Sequence, residues 1–364
     1  MTGPFPADRQ VAYTVSACAA FERIVQLESL AGSRVLLPAY ICQEGFRPIF
    51  ERYDVEPVFV DVDRETRHVD VDAAMERLGD VDAVLVVHAF GLPMALDALV
   101  DHARREDVLV VEDCARALGA RIDDQLVGSF GDYAIFSFSK VSPLFTGGCL
   151  VYGPGAEPVE LDAPTINVDL LVKTLYYWST YEVPYEDRLV SLYDRVIGDR
   201  GYSIAGAEQD DTEETGTSVR RLDPVNRRLF DRYVGRGFQE RLAEHRALAD
   251  DLRETLRAHD VAVQPDGPGR VHHVVSATVP DRRDDLVEYL KSRGHTVRVI
   301  WKYPWGVCRD DQRAERRYPE AAYLQAHHVT FPIVGLSRAD VRQLRADVRA
   351  FFADVDEPGP RLVT

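Results

Sequence analysis

The chain has 364 residues, enough for one large domain and a smaller one. Its formal charge of -17, with no basic stripe to offset it, excludes nucleic acid as a natural partner. Apolar residues make up 46% and charged residues 28%, yet no run approaches the ~18 consecutive apolar residues of a membrane span.

The first ten residues lack the basic and apolar regions of a signal peptide. Five dispersed cysteines (Cys18, Cys42, Cys114, Cys149 and Cys308) argue for free thiols in the cytoplasm rather than a disulfide framework. Residues 1–13 carry Pro4 and Pro6 and little periodicity, which predicts an N-terminal arm. Ser16 is placed to cap a helix in which Ala17, Ala20, Phe21, Ile24 and Val25 recur at helical spacing. From Val35 onward, apolar runs (VLLP, PVFVDV, AVLVV, VLVV) alternate with helical stretches near Gln43 to Tyr53, Val71 to Leu78 and Ala95 to Arg105. That alternation is the signature of a parallel sheet covered by helices, an α/β architecture. His88 closes the AVLVV run, where it serves either the fold or a ligand site.

The run Val108 to Val111 reads as a buried strand, with Glu112 and Asp113 at its carboxyl end, where open α/β sheets place ligands. A second apolar run, Tyr133 to Phe138, leads through Ser139 to Lys140, and Thr146-Gly147-Gly148 precedes a third run, Cys149 to Tyr152. The chain uses only four lysines, Lys140, Lys173, Lys291 and Lys302, against 39 arginines. A lysine amine can lose its proton and hold an aldehyde, whereas a guanidinium cannot. A strand-end carboxylate able to pair with a pyridinium nitrogen, plus such a lysine, are the two protein groups that pyridoxal phosphate requires.

The segments EDCARALGA, VGSFGDYAIFSFSK and the GG seven residues beyond Lys140 resemble the DegT/StrS family of pyridoxal-phosphate-dependent sugar aminotransferases. RVLLPAYIC, VEPVFVDVD and VVHAFGLPMALDAL extend the resemblance over roughly residues 16–152. It implies a fold type I transferase, with a mostly parallel sheet in the large domain and a smaller α+β C-terminal domain. Lys140 would carry the cofactor aldehyde and Asp113 the ring nitrogen. Ser137 and the helix start at Ser16, Ala17 and Cys18 would hold the phosphate, which suits the exposed N–H groups and positive dipole end there. Arg116 stands where the family commonly has glutamine or histidine, and Cys42 where it often has an aromatic residue; both would flank the ring, with His88 near it. The implied reaction moves an amino group, with glutamate as donor, to a nucleotide-linked keto-sugar. The alternatives are a non-catalytic scaffold or regulatory protein, or a sugar dehydratase, although such dehydratases carry histidine in place of the lysine. The family also implies a homodimer.

After Gly153 the pattern weakens. Tyr176, Tyr177, Trp178, Tyr181 and Tyr185 read as packing or interface, and Glu208 to Glu214 as a mobile acidic loop. Ser218, Arg220 and Arg221 lie where the family has a motif that enters the neighbouring subunit's site. A long helix from about Phe238 to Ala258 opens a second unit: strand Val271 to Val279, helix Asp284 to Arg293, strand Thr296 to Ile300, strand Val329 to Phe331 and helix Arg338 to Phe352. The expected division is therefore an arm over 1–13, a large cofactor-binding domain over 14–236 with its mobile loop near 206–217, and a small domain over 237–364. The pairs His272-His273 and His327-His328 would point to opposite faces of a strand, which makes them poor metal ligands, and no metal site is expected.

Overall fold

The computed structural model describes residues 3–182, 219–235, 237–302, 304–307 and 314–353. The 206–217 loop, Ser218, Cys308, Tyr185 and the side chains of Tyr176, Tyr177 and Tyr181 lie outside the described residues. In chain order the main strands and helices of the first unit are β1 Gln10–Thr14, α1 Ala17–Leu27, β2 Arg34–Pro38, α2 Gln43–Arg52, β3 Glu56–Val60, α3 Val71–Met75, β4 Ala83–Val87, α4 Asp97–Arg105 and β5 Leu109–Asp113. They continue with the short β6 Arg121–Ile122 and β7 Gln125–Leu126, then β8 Tyr133–Ser137, β9 Gly148–Tyr152, α5 Val168–Glu182 and α6 Pro224–Gly235.

Seven of these strands form one sheet in the order β1-β9-β8-β5-β4-β2-β3. The β3, β2, β4, β5 and β8 pairings are parallel, and β9 runs antiparallel to both β8 and β1. The apolar runs VLLP and AVLVV are buried along almost their whole length, as strands covered on both faces must be.

Of the predicted arm, residues 3–13 are described, and they pack onto the sheet rather than standing free. Gln10 to Thr14 pair along β9, and Phe5 is buried against Phe136, with ring centroids 5.1 Å apart. The low periodicity of the segment reflects a short edge strand, which needs only one buried face.

The second unit packs α7 Phe238–Arg257, α8 Arg283–Ser292 and α10 Arg338–Ala353 around an antiparallel sheet of β10 Ala262–Val263, β11 Val274–Thr278 and β12 His328–Pro332, with α9 Pro319–His327 between α8 and β12. Leu248, Leu252 and Leu256 of α7 are buried with Leu286, Phe331 and Phe351 in one core cluster. The segment 296–300 is not a strand: it makes a single bridge, Arg298 to Thr330, and then turns inward. His272 and His273 precede β11 and are both buried. Among the described residues no helix is long and apolar enough to cross a membrane.

Candidate active site

The parallel strands end together, and their carboxyl edge is where the sequence-predicted residues meet. The register sets Val87 beside Asp113 and Asp113 beside Ile135, so the ends of β4, β5 and β8 lie in a row. His88, Asp113 and Ser137 follow or finish these strands. One cavity of about 1110 Å³, counting its open mouth, is lined there by Ser16, Ala17, Cys18, Cys42, His88, Asp113, Arg116, Ser137 and Lys140. All nine residues singled out in the sequence therefore face one space.

The start of α1 forms one wall. Ser16 caps the helix in extended conformation, its Oγ accepting from the Ala19 amide at 3.1 Å, which leaves the first-turn N–H groups of Ala17 and Cys18 at the cavity. The Thr146-Gly147-Gly148 stretch holds this helix start in place. The Gly147 amide donates to Val15 O at 2.7 Å and Thr146 Oγ1 to the same oxygen at 2.9 Å. A Cβ on Gly148 would lie 2.6 Å from Ala17 N, so only glycine lets β9 approach the helix this closely.

Glu112 and Asp113 are neighbours on β5 and point to opposite faces. Asp113 Oδ1 accepts from the Ala115 amide at 2.8 Å. Burial pushes its carboxyl above the ordinary carboxylate value, while the Ala115 amide, Lys140, His88 and Arg116 pull the other way. Glu112, fully buried, accepts from the amides of Gly128, Phe130 and Gly131, each at 2.8 Å, and from His88 Nε2 at 3.0 Å. Burial alone would raise Glu112, but the His88 hydrogen bond and the Gly131 and Gly128 amides outweigh it and hold the carboxyl low. The Met94 amide donates to His88 Nδ1 at 3.0 Å, so the ring proton sits on Nε2 and is given to Glu112. His88 thus faces the cavity with its orientation fixed from behind, and Glu112 ties that ring to the glycine-rich turn 128–131. His88, Glu112 and Cys114 offer ligand atoms within 4.8 Å of one another. The amides already on Glu112 and on His88 Nδ1 account for this grouping as a hydrogen-bonded clamp rather than a metal centre.

Sequence reasoning gave Glu112 no role, although the strand's alternation already allows only one of the two acidic residues to face the site. It also missed Phe90, Arg298 and Trp301, which line the same cavity. Phe90 reaches it from a left-handed backbone position, φ 55° and ψ 34°. Arg298 comes from the segment read as a strand and Trp301 directly follows it; they are the second unit's contribution to the wall. Arg220 instead donates to Thr165 Oγ1 at 2.8 Å, and neither it nor Arg221 lines the cavity of its own chain.

A helix start for an anion, a buried carboxylate on a sheet edge, and a lysine beside it, all set in an α/β fold with a small capping unit, define the fold type I architecture of pyridoxal-phosphate-dependent aminotransferases. The chain superimposes on the aminotransferase TlmJ from Streptoalloteichus hindustanus with a TM-score of 0.69 at 21% identity, covering 95% of this chain and 87% of that one. Spr1654 from Streptococcus pneumoniae, in its PLP-form, gives 0.66 at 18% identity, covering 95% and 87%. Residues 8–153 match the model of the DegT/DnrJ/EryC1/StrS aminotransferase family, to which this part of the chain belongs. A similar relative is the dTDP-3-amino-3,4,6-trideoxy-alpha-D-glucose transaminase of Micromonospora megalomicea subsp. nigra, 30% identical over 258 residues, which are 69% of this chain and 59% of that protein. The match thus spans less than two thirds of that relative's length.

Proposed function

We propose that the protein is a pyridoxal-phosphate-dependent aminotransferase, acting in the cytoplasm as a homodimer, that moves an amino group from glutamate to a nucleotide-linked keto-sugar. The observation that carries this reading is that Lys140, Asp113 and the start of α1 line one cavity. The donor set fits the cofactor at each of its ends. The Ala17 and Cys18 amides and the positive end of α1 suit a phosphate, the buried Asp113 carboxylate suits a protonated ring nitrogen, and Lys140 suits an aldehyde.

When bound, the cofactor supplies an aldehyde that exchanges amines and a ring that takes up an electron pair. The chain's own residues do the rest. Asp113 would keep the ring nitrogen protonated. Ser137 would support the phosphate beside α1, and Arg116, Cys42 and His88 would lie beside the ring. Lys140 would hold the aldehyde and, as a free amine, would serve as the base that moves a proton between carbons. Phe90 and Trp301 add apolar surface to the same cavity. The dTDP-sugar in the name of the Micromonospora relative supports a nucleotide-linked acceptor.

The large unit, residues 14–236, would hold the cofactor and the small unit, 237–364, would close over it. Ile166, Val168, Val172 and Leu175 leave an apolar stripe exposed at and before α5, which supports burial against a second subunit. Light scattering should show a dimer or larger; a monomer that still binds cofactor would count against this assembly.

Borohydride reduction followed by mass spectrometry should place the pyridoxyl group on the peptide containing Lys140, and Lys140→Ala should abolish that adduct while the fold survives. An adduct on Lys173, Lys291 or Lys302 would overturn the assignment, and none at all would favour a scaffold.

A further inference from the structure

Two sulfurs meet in the cavity wall. Cys18 lies in the first turn of α1, and Cys42 is the residue before α2. A Cβ placed on Gly45 would stand 3.0 Å from Cys18 Sγ and 3.8 Å from Cys42 Sγ. Both sulfurs therefore crowd the same point, over a residue that has no side chain to keep them apart. Neither thiol is in a disulfide, and both face the solvent-connected cavity. Cys114 and Cys149 do not line that cavity: both are fully buried, and burial pushes their thiols well above the usual value of 9.0.

We infer that Cys18 and Cys42 form a reversible oxidation site, closing to a disulfide when the cavity meets a hydroperoxide. Cys18 is the attacking thiol, being the more exposed of the two and lying in the N-terminal turn of a helix, where an anion is favoured. The Cys42 thiol faces the Glu44 carboxylate, Sγ to Oε2 3.4 Å, which holds its proton, so it is the resolving partner. Cys18 sulfur attacks one peroxide oxygen, the O–O bond breaks, and the products are a sulfenic acid on Cys18 and an alcohol or water. Cys42 sulfur then attacks Cys18 sulfur. The S–S bond forms, the S–O bond breaks, and the departing hydroxide takes the Cys42 proton as water. Two electrons pass from the two thiols to one peroxide. A disulfide needs the Cβ atoms to come to roughly 3.5–4.5 Å, and the absence of a Cβ at Gly45 leaves room for that approach. The bond would tie the starts of α1 and α2 together across the wall that faces the cofactor in the reading above.

Treatment of the purified full-length protein with hydrogen peroxide should remove two of its five thiols. Mass spectrometry should show one link, between the tryptic peptides carrying Cys18 and Cys42, that dithiothreitol reverses. Cys42→Ser should stop the process at Cys18 and leave a sulfenic acid that dimedone traps. The inference fails if all five thiols survive peroxide that oxidises free cysteine, if the link runs through Cys114, Cys149 or Cys308, or if Cys18 and Cys42 end as separate sulfinic acids. The wild-type map decides this even if the variant does not fold. Saturating pyridoxal phosphate should slow the oxidation. An unchanged rate with the link still at Cys18 and Cys42 would leave the oxidation site standing and remove the cofactor from this cavity.

Discussion

Adjacent carboxylates on one strand have opposite assignments here because the strand turns one into the cavity and the other into the glycine-rich turn. The difference has measurable consequences at Asp113. If Asp113 holds the ring nitrogen as proposed, Asp113→Asn removes a charge-assisted contact worth about 2 to 3.4 kcal/mol, so turnover should fall roughly 30- to 300-fold; near-normal turnover would reduce Asp113 to a loop carboxylate. Stability should move the other way in the cofactor-free chain. Because burial raises the folded Asp113 carboxyl above its ordinary value of 3.8, its contribution is present below that value and is lost as pH rises through the raised one. At neutral pH the buried charge is a cost, and Asn relieves it. Thermal melts at pH 7 of cofactor-free protein should give the variant the higher Tm, whereas a lower Tm would mean that Lys140, His88 and Arg116 outweigh burial.

At the scale of elements, the site depends on how closely β9 packs under α1. Gly148→Ala would press a methyl group against Ala17 N and Phe136 O, at 2.6 and 2.5 Å. The helix start must shift, so affinity for pyridoxal phosphate should fall at least tenfold while far-UV circular dichroism changes little. Fluorescence titration would measure it, and unchanged affinity would remove α1 from the phosphate site. Most of this layer was legible beforehand: the strand ends at Val87, Asp113 and Ser137 follow from apolar runs, and the cap at Ser16 from a hydroxyl before a helical period. Arg298 and Trp301 were not legible. They enter the site because the chain leaves its single bridge at Arg298 and turns, with Trp301 at φ 51°, a left-handed conformation that no local preference of tryptophan encodes. Edge strand β1 escaped notice because one sided pairing needs no apolar period, and the role of Glu112 because its partners are amides sixteen to nineteen residues away.

For the whole molecule, two forces compete as pH falls. Protonating carboxylates relieves the repulsion of a chain at -17 and should stabilise it. Against this stand buried histidines whose charging is opposed chiefly by burial: His68 and His273 are pushed down to about 4, His245 and His272 to about 3, and His328 well below its usual 6.5. A depressed group contributes stability that is present above 6.5 and lost as pH falls through its folded value. At about 1.4 kcal/mol per unit, two such histidines already match the lower end of ordinary domain stability, about 5 kcal/mol. The histidines should win. Urea midpoints should fall steadily from pH 6.5 towards 4 with net proton uptake, and a flat or rising midpoint across that range would show that charge relief dominates.

The loop that bears Lys140 leans on parts of the chain far beyond the segment in which its motif lies. Phe138 stacks on Phe230 with centroids 3.6 Å apart, Tyr233 Oη donates to Val141 O at 2.9 Å, and a Cβ on Gly147 would meet Leu222. For anyone recombining this protein with its relatives, residue 153 is therefore a poor crossover point. A chimaera joined there would bring a foreign α6 against a native lysine loop, whereas a junction after Gly235 would carry the loop and its support across together.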